Sequence, residues 1–354
     1  MAKTQKTIQL IDKLIQTRQL DKDAWIYILE NAYVCLPYIF EHAGRIRDEV
    51  YGKKVFIRGL IEFTNYCKND CYYCGIRCSN KNAIRYRLSR EDILSCCHTG
   101  YNLGFRTFVL QGGEDLHFSD DEMCQIISDI KKCYLDCAVT LSFGEREKIA
   151  YQRFYDAGAD RYLLRHETAT ESHYRKLHPK NLAFSNRIRC LYDLKEIGFQ
   201  VGCGMMVGSP YQTIEHLAED MLFLQDFKPH MVGIGPFISH KDTPFKDKSN
   251  GSTDTTILLV ALTRLLLPNS LIPATTALGT LDADGREKAI LAGANVVMPN
   301  LSPMDAREKY LLYDGKYTAA NDALEFLNDL KESMKQIGYE VVTARGDYNG
   351  FVRK

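Results

Sequence analysis

"VFIRGLIEFTNYCKNDCYYCGIRC", residues 55–78, runs from an apolar stretch straight into four cysteines. Its first nine residues (55–63) read as a strand, rich in apolar and β-branched side chains and free of proline. Four of the chain's twelve cysteines follow within twelve residues, at Cys67, Cys71, Cys74 and Cys78. Working outward, short apolar runs recur at 107–111, 138–142, 161–165, 201–207, 230–235, 271–276 and 294–298. Longer stretches with helical spacing lie between them, at 120–133, 185–198, 213–227, 254–267 and 284–293, and another opens on the capping-box pair Ser89 and Asp92. Eight strands alternating with helices predict a (β/α)8 barrel of the TIM type, whereas an open doubly wound sheet would need fewer units. Chemistry in such a barrel gathers at the C-terminal ends of the strands, where the cysteines stand.

The composition fits a globular chain: 354 residues, 45% hydrophobic and 25% charged. Lys plus Arg (45) balances Asp plus Glu (45), so charge gives no reason to expect a nucleic acid or an anionic membrane as partner. The N-terminal stretch has helical spacing broken by charges, unlike a signal peptide, and no apolar run approaches the ~18–20 residues of a membrane span. A cytoplasmic protein is expected, where clustered cysteines more often bind metal or act in catalysis than form disulfides. The expected division is an N-terminal cap of two helices (1–50), the barrel (51–318) and a C-terminal helix and tail packing on it (319–354).

Cys67, Cys71 and Cys74 are spaced Cys-x3-Cys-x2-Cys, close enough to share one metal centre. A structural zinc would take Cys78 as its fourth ligand. An iron–sulfur cubane on three cysteines would instead leave one iron open to a substrate. The stretch "QGGED" (111–115) follows the second strand, and its glycines allow backbone to approach a ligand closely. In "RYLLRHETATESHYRKLHP" (161–179), Arg161, Arg165 and Glu167 fall on one face of the fourth strand, the barrel interior. Such charges there imply an internal salt bridge or an anion pocket. His166 points the other way and is expected to be structural, His178 to lie in a loop. Cys96, Cys97, Cys124, Cys133, Cys137 and Cys190 read as packing residues.

With Tyr73 ahead of Cys74, the cysteine pattern after a first barrel strand resembles that of the radical S-adenosylmethionine (SAM) enzymes. The resemblance implies one [4Fe-4S] cluster on Cys67, Cys71 and Cys74, with its open iron on the amino and carboxylate groups of SAM. Reductive cleavage of SAM then yields a 5′-deoxyadenosyl radical. Gly112, Gly113 and Glu114 match the family's Gly-Gly-Glu motif, which contacts the SAM amino group. "NYCKNDCYYCGIR", "LRHETA", "LHP", "GIGPFISHKDTPF" and "PATTALGTLDADGREKAILAGANVVMPN" narrow the resemblance, over residues 50–345, to the HydE-type [FeFe]-hydrogenase maturases. These stand in the biotin synthase and methylornithine synthase group.

That resemblance implies an organometallic substrate, a cysteine-bound Fe(CO)2(CN) unit handed over by a partner maturase. It also implies a flavodoxin or ferredoxin electron donor and a downstream maturation scaffold. Glu167 and Arg187 would hold SAM, with Thr140 and Tyr310 against its adenosyl moiety. Arg58, Arg161, Arg165, Thr275 and Thr276 would line the substrate cavity, with Met298 as an apolar wall, and the N-terminal helices would cap the barrel bottom. Some members carry an auxiliary cluster on C-terminal cysteines, but no cysteine follows Cys203 here, so one cluster is expected. Ser209 and Tyr211 stand where an apolar residue and a glycine are expected, and Cys78 is an extra cysteine expected not to ligate. The rivals are a methylornithine synthase-like lysine mutase, a biotin synthase-like enzyme and a zinc-stabilised scaffold.

Overall fold

Residues 55–63 form two strands rather than one. The computed structural model, which describes residues 2–316 and 323–353, breaks them at Arg58 into β1 (Lys54–Ile57) and β2 (Gly59–Thr64). The expected boundary at 318/319 lies outside the described residues. The other strands are β3 (Thr107–Gly112), β4 (Ala138–Ser142), β5 (Arg161–Leu163), β6 (Gln200–Cys203), β7 (Met206–Val207), β8 (Met231–Val232), β9 (Gly235–Pro236), β10 (Val296–Val297) and β11 (Glu340–Val342).

Every pairing between these strands is parallel. β2, β3, β4, β5, β6 and β8 run in that order, and β10 lies on β1. The expected strand 271–276 is reduced to isolated bridges, Leu271 to Met231 and Pro273 to Val296. Pro273 has no N–H to give, so a regular ladder cannot pass through it. The chain still spans the gap: Val232 N bonds Leu271 O at 3.0 Å and Ala274 N bonds Val296 O at 2.9 Å. With Phe56 N on Asn295 O at 2.9 Å and Arg58 N on Val297 O at 2.9 Å, the ring closes into the expected barrel. The readings 201–207 and 230–235 each split, and their upper parts pair as β7 and β9.

Strand alternation sorts the side chains. Phe108, Leu110, Val139, Leu141, Tyr162 and Cys203 face outward into the main core beneath the helices. Phe56, Met231, Leu271 and Val296 form a smaller interior cluster with Leu163 and Met298. The helices start and stop as their sequences dictate. Ser89 and Asp92 make a complete capping box on Arg90–Asn102, and Gly198 (φ 111°) ends Phe184–Ile197.

The N-terminal segment holds three α-helices where two were expected. Ala2–Thr17, Lys22–Asn31 and Leu36–Tyr51 precede the barrel, and they pack along its outer helices Ile214–Phe227 and Thr253–Leu266. Thr253–Leu266 is therefore buried continuously from Thr256 to Leu266, covered by the barrel inside and by these helices outside. At the barrel bottom the C-terminal tail meets the end of Leu36–Tyr51, whose Tyr51 packs with Phe56, Met231 and Leu271. β11 pairs with β1, and Asp347 then accepts from Arg161 Nη2 at 2.6 Å and Gln200 Nε2 at 2.8 Å. No helix among the described residues is long and apolar enough to cross a membrane.

Candidate active site

The chain leaving β2 is organised by polar side chains that bond its backbone. Arg85 donates to the carbonyls of Ile76, Arg77 and Asn80. Asp70 receives Arg77 Nε at 2.6 Å, which holds its carboxyl down at about 2. This frame fixes the cysteine loop across the mouth of the barrel. Tyr72 N bonds Leu177 O at 3.0 Å and Gly75 N bonds Leu312 O at 2.8 Å.

Cys67, Cys71 and Cys74 are half-buried, while Cys78 is exposed. Burial pushes the Cys71 thiol well up, with Cys74 and Cys67 adding to it; burial and then Cys67 push Cys74 up to about 12. Thiols held so high stay protonated unless a cation stands beside them. Among the described residues no three His, Cys, Asp or Glu side chains converge as a single metal ion requires. A cubane places each thiolate on a different iron, so its ligands stand further apart.

The glycine motif closes over the cysteines. Glu114 N donates to Cys67 Sγ at 3.4 Å, and Lys68 N bonds Glu114 O at 2.9 Å. A side chain at Gly113 would put its Cβ 2.2 Å from Tyr66 O and 2.7 Å from Cys67 Cβ, so only glycine allows this approach. The Glu114 carboxylate accepts Glu145 N at 2.8 Å and pairs with Lys68 at 3.3 Å.

A cavity of about 290 Å3 opens here, lined by Cys67, Cys74, Gly112, Gly113, Glu114, Arg165, Glu167, Arg187 and Tyr310. Arg187 comes from helix Phe184–Ile197 and pairs with Glu145 at 2.6 Å. Burial alone would lower Arg187, yet Tyr174 and Glu145 hold it well above its ordinary value, so it stays cationic. Tyr310 is buried and bonded to Gln111. A second cavity of about 170 Å3 lies deeper, lined by Arg165, Thr275, Thr276 and Met298 together with Glu62, Arg307 and Lys316. The two share Gln111, Leu163, Arg165, Ala277, Leu312 and Tyr313 as walls. Several buried polar atoms around them have no hydrogen-bond partner, among them Arg165 Nε, Glu167 Oε2 and Thr275 Oγ1. The residues present therefore fit a thiolate-held cluster with a polar ligand beside it.

Three expected residues lie off both cavities. Arg161 sits at the lower end of β5 in the internal salt bridge with Asp347, because a strand's first residue is at the barrel bottom. Arg58 is buried at the β1–β2 break, with Nη1 on Met231 Sδ at 3.0 Å. Thr140 is in register with Arg161, two residues below Ser142, which does line the upper cavity. His178 lies in the loop after helix Glu171–Leu177, as expected, and is buried there; it accepts from the Tyr73 hydroxyl at 3.1 Å and so fixes that ring in the cavity wall. Tyr211 takes φ 68°, so the left-handed turn survives without a glycine. The sequence reading missed the Glu62–Lys316 ion pair at 2.5 Å. Alternation along β2 marks Glu62 as inward-facing, but Lys316 lies in an irregular segment with no such signal.

A model of the Radical SAM superfamily matches residues 61–224. Over 278 residues the chain is 49% identical to the "[FeFe] hydrogenase maturase subunit HydE" of Thermotoga maritima, spanning 78% of this chain and 79% of that one. The chain belongs to the HydE family. It is thus a radical SAM enzyme. HydE relatives extend to the 3-methylornithine synthase of Methanosarcina barkeri, 30% identical over 315 residues and covering 86% of each chain. The crystal structure of methylornithine synthase (PylB) superposes on this HydE-family chain with a TM-score of 0.80 at 27% identity, covering 94% of this chain and 97% of that one.

Proposed function

We propose that this enzyme acts in [FeFe]-hydrogenase maturation, with a [4Fe-4S] cluster on Cys67, Cys71 and Cys74, SAM in the upper cavity and an anionic organometallic iron substrate in the deeper one. The supporting observation is the shared wall: a reactive group formed in the upper cavity stands next to whatever the lower cavity holds. When bound, cluster and SAM supply the 5′-deoxyadenosyl radical. The chain's residues supply position and exclusion.

Glu114, fixed by Glu145 N and Lys68, offers a carboxylate to the SAM ammonium. Arg187 stays charged and suits the SAM carboxylate, while Glu167 suits a ribose hydroxyl and buried Tyr310 covers the adenosyl group. Arg165 borders both cavities, held by Glu167 at 3.1 Å and by Met205 O at 2.8 Å, and presents its guanidinium to a cyanide-bearing substrate. Thr275 Oγ1 is free to donate, and Met298 gives an apolar wall that keeps water out. The proposed substrate is a cysteine-bound Fe(CO)2(CN) unit received from a partner maturase. A flavodoxin or ferredoxin would deliver the electron, and the product would pass to a downstream maturation scaffold.

An anaerobic maturation assay tests this reading. Apo-[FeFe]-hydrogenase and the other maturation components are combined with and without the reconstituted enzyme. Hydrogen evolution that depends on the enzyme is expected. No dependence, in a preparation that still cleaves SAM, would contradict it. The Glu62–Lys316 pair favours one second reading, because side-by-side carboxylate and ammonium groups complement an amino-acid zwitterion. Conversion of lysine to its isomer 3-methylornithine, followed by chromatographic separation of the two, would establish that alternative.

A further inference from the structure

Glu167 adopts φ 66°, a left-handed conformation that side chains other than glycine rarely take. Its backbone is tied to the chain beyond β6: its N donates to Gly204 O at 3.0 Å, and its O accepts from Met206 N at 3.1 Å. The residues flanking it are held by a fully buried pair, His166 and Asp220, that plays no part in the proposed chemistry. His166 Nδ1 accepts from Gly204 N at 3.2 Å, which leaves Nε2–H to donate to Asp220 Oδ1 at 3.2 Å. The same carboxylate oxygen accepts Ala169 N at 2.5 Å.

Asp220 reaches this turn from the middle of helix Ile214–Phe227, from a face otherwise made of Leu217, Met221 and Leu224. A carboxylate in that apolar layer is costly unless its bonds repay the desolvation. Its bonds go to residue 166 and residue 169, one on each side of Glu167. Through His166 they also join the end of β5 to the end of β6.

We propose that His166 and Asp220 are positioning residues for SAM binding: together they fix the strained turn that aims the Glu167 carboxylate into the upper cavity. This rests on the reading of Glu167 as a SAM contact. A role limited to packing would lower stability. A positioning role shows in SAM affinity.

The test titrates SAM into the full-length reconstituted enzyme, reading the dissociation constant from the reduced cluster's electron paramagnetic resonance (EPR) and KM and kcat from SAM cleavage. Asp220→Leu removes both accepted bonds and should raise KM for SAM on the order of tenfold, with iron content and the rate at saturating SAM near wild type. Asp220→Asn, whose Oδ1 can accept the same two bonds, should stay within about twofold. Glu167→Gln is the reference. If it weakens SAM binding and Asp220→Leu does not, the positioning role is overturned. If Glu167→Gln leaves SAM binding unchanged, the reading of Glu167 itself fails, and the proposal with it. Should Asp220→Leu lose its cluster, His166→Phe decides by the same criterion, because it keeps the ring packing on Phe223 (centroids 4.8 Å apart).

Discussion

Arg161 and Arg165 leave the same strand region on the same face, yet they live in different chemical surroundings. Arg161 is wholly buried at the barrel bottom and bonded to Thr107, to Arg345 O and to Asp347 of the C-terminal tail. Arg165, a third exposed at the barrel top, pairs with Glu167 and lines both cavities. The same contrast holds for the two ends of the barrel. The bottom is closed by a network of Asp160, Arg161, Gln200, Arg345 and Asp347 that bond one another. The top carries clustered thiols, strained Glu167 and the two adjoining cavities. Charges at the bottom pair around the returning C-terminal tail; charges at the top pair along the walls of the two cavities.

The largest expected effect is at the top. Cys71→Ala should abolish cluster assembly after anaerobic reconstitution, with iron at background and no SAM cleavage; a variant that keeps a SAM-responsive cubane would sink the ligand assignment. Asp347→Ala breaks the bottom. It leaves Arg161 buried without its counter-charge and should cost about 2–3 kcal/mol in denaturant unfolding, less than a fully buried pair because Asp347 is itself partly exposed. SAM affinity should not move, and a matching loss of affinity would erase the distinction between the two ends. Arg165→Ala should leave iron content and stability near wild type while lowering turnover about 10- to 100-fold, the value of a charged hydrogen bond. Unchanged maturation activity would remove the anion-binding role.

A further effect is a pH dependence shared by both ends. Burial pushes His178 and His173 at the top down to about 3 and about 4, and His230 at the bottom down to about 4. These values lie below the ~6.5 of an unfolded chain, so the unfolded state takes up more protons as pH falls. Stability should be full above pH ~6.5 and decline toward pH ~4, by on the order of 1 kcal/mol per pH unit for each histidine. Urea unfolding across that range checks the sign, and His178→Phe should flatten the slope.

The legibility of the sequence divides along the same line. The cysteine and glycine motifs could be read because short spacing after a strand already fixes where they stand. Period-two alternation gave the face of Arg161 correctly but not its depth, and its partner Asp347 lies 186 residues away. The break at Arg58 was hidden for a related reason. β1 is flanked by β10 and β11, whereas β2 pairs with β3, so the exchange depends on where the distant C-terminal tail returns. The strand reading of 271–276 overlooked Pro273, which cannot donate to a ladder. Nothing in "LRHETA" announces the left-handed φ of Glu167, or of Tyr211 further on, because neither is glycine.

The most direct test of the ligand assignment is EPR of the reduced cluster, with and without SAM, in wild type, Cys71→Ala and Cys78→Ala. The expected result is a cubane signal that shifts on SAM addition in wild type and Cys78→Ala, and no signal in Cys71→Ala. Loss of the cluster in Cys78→Ala, or a signal indifferent to SAM in wild type, would contradict a three-cysteine site with an open iron.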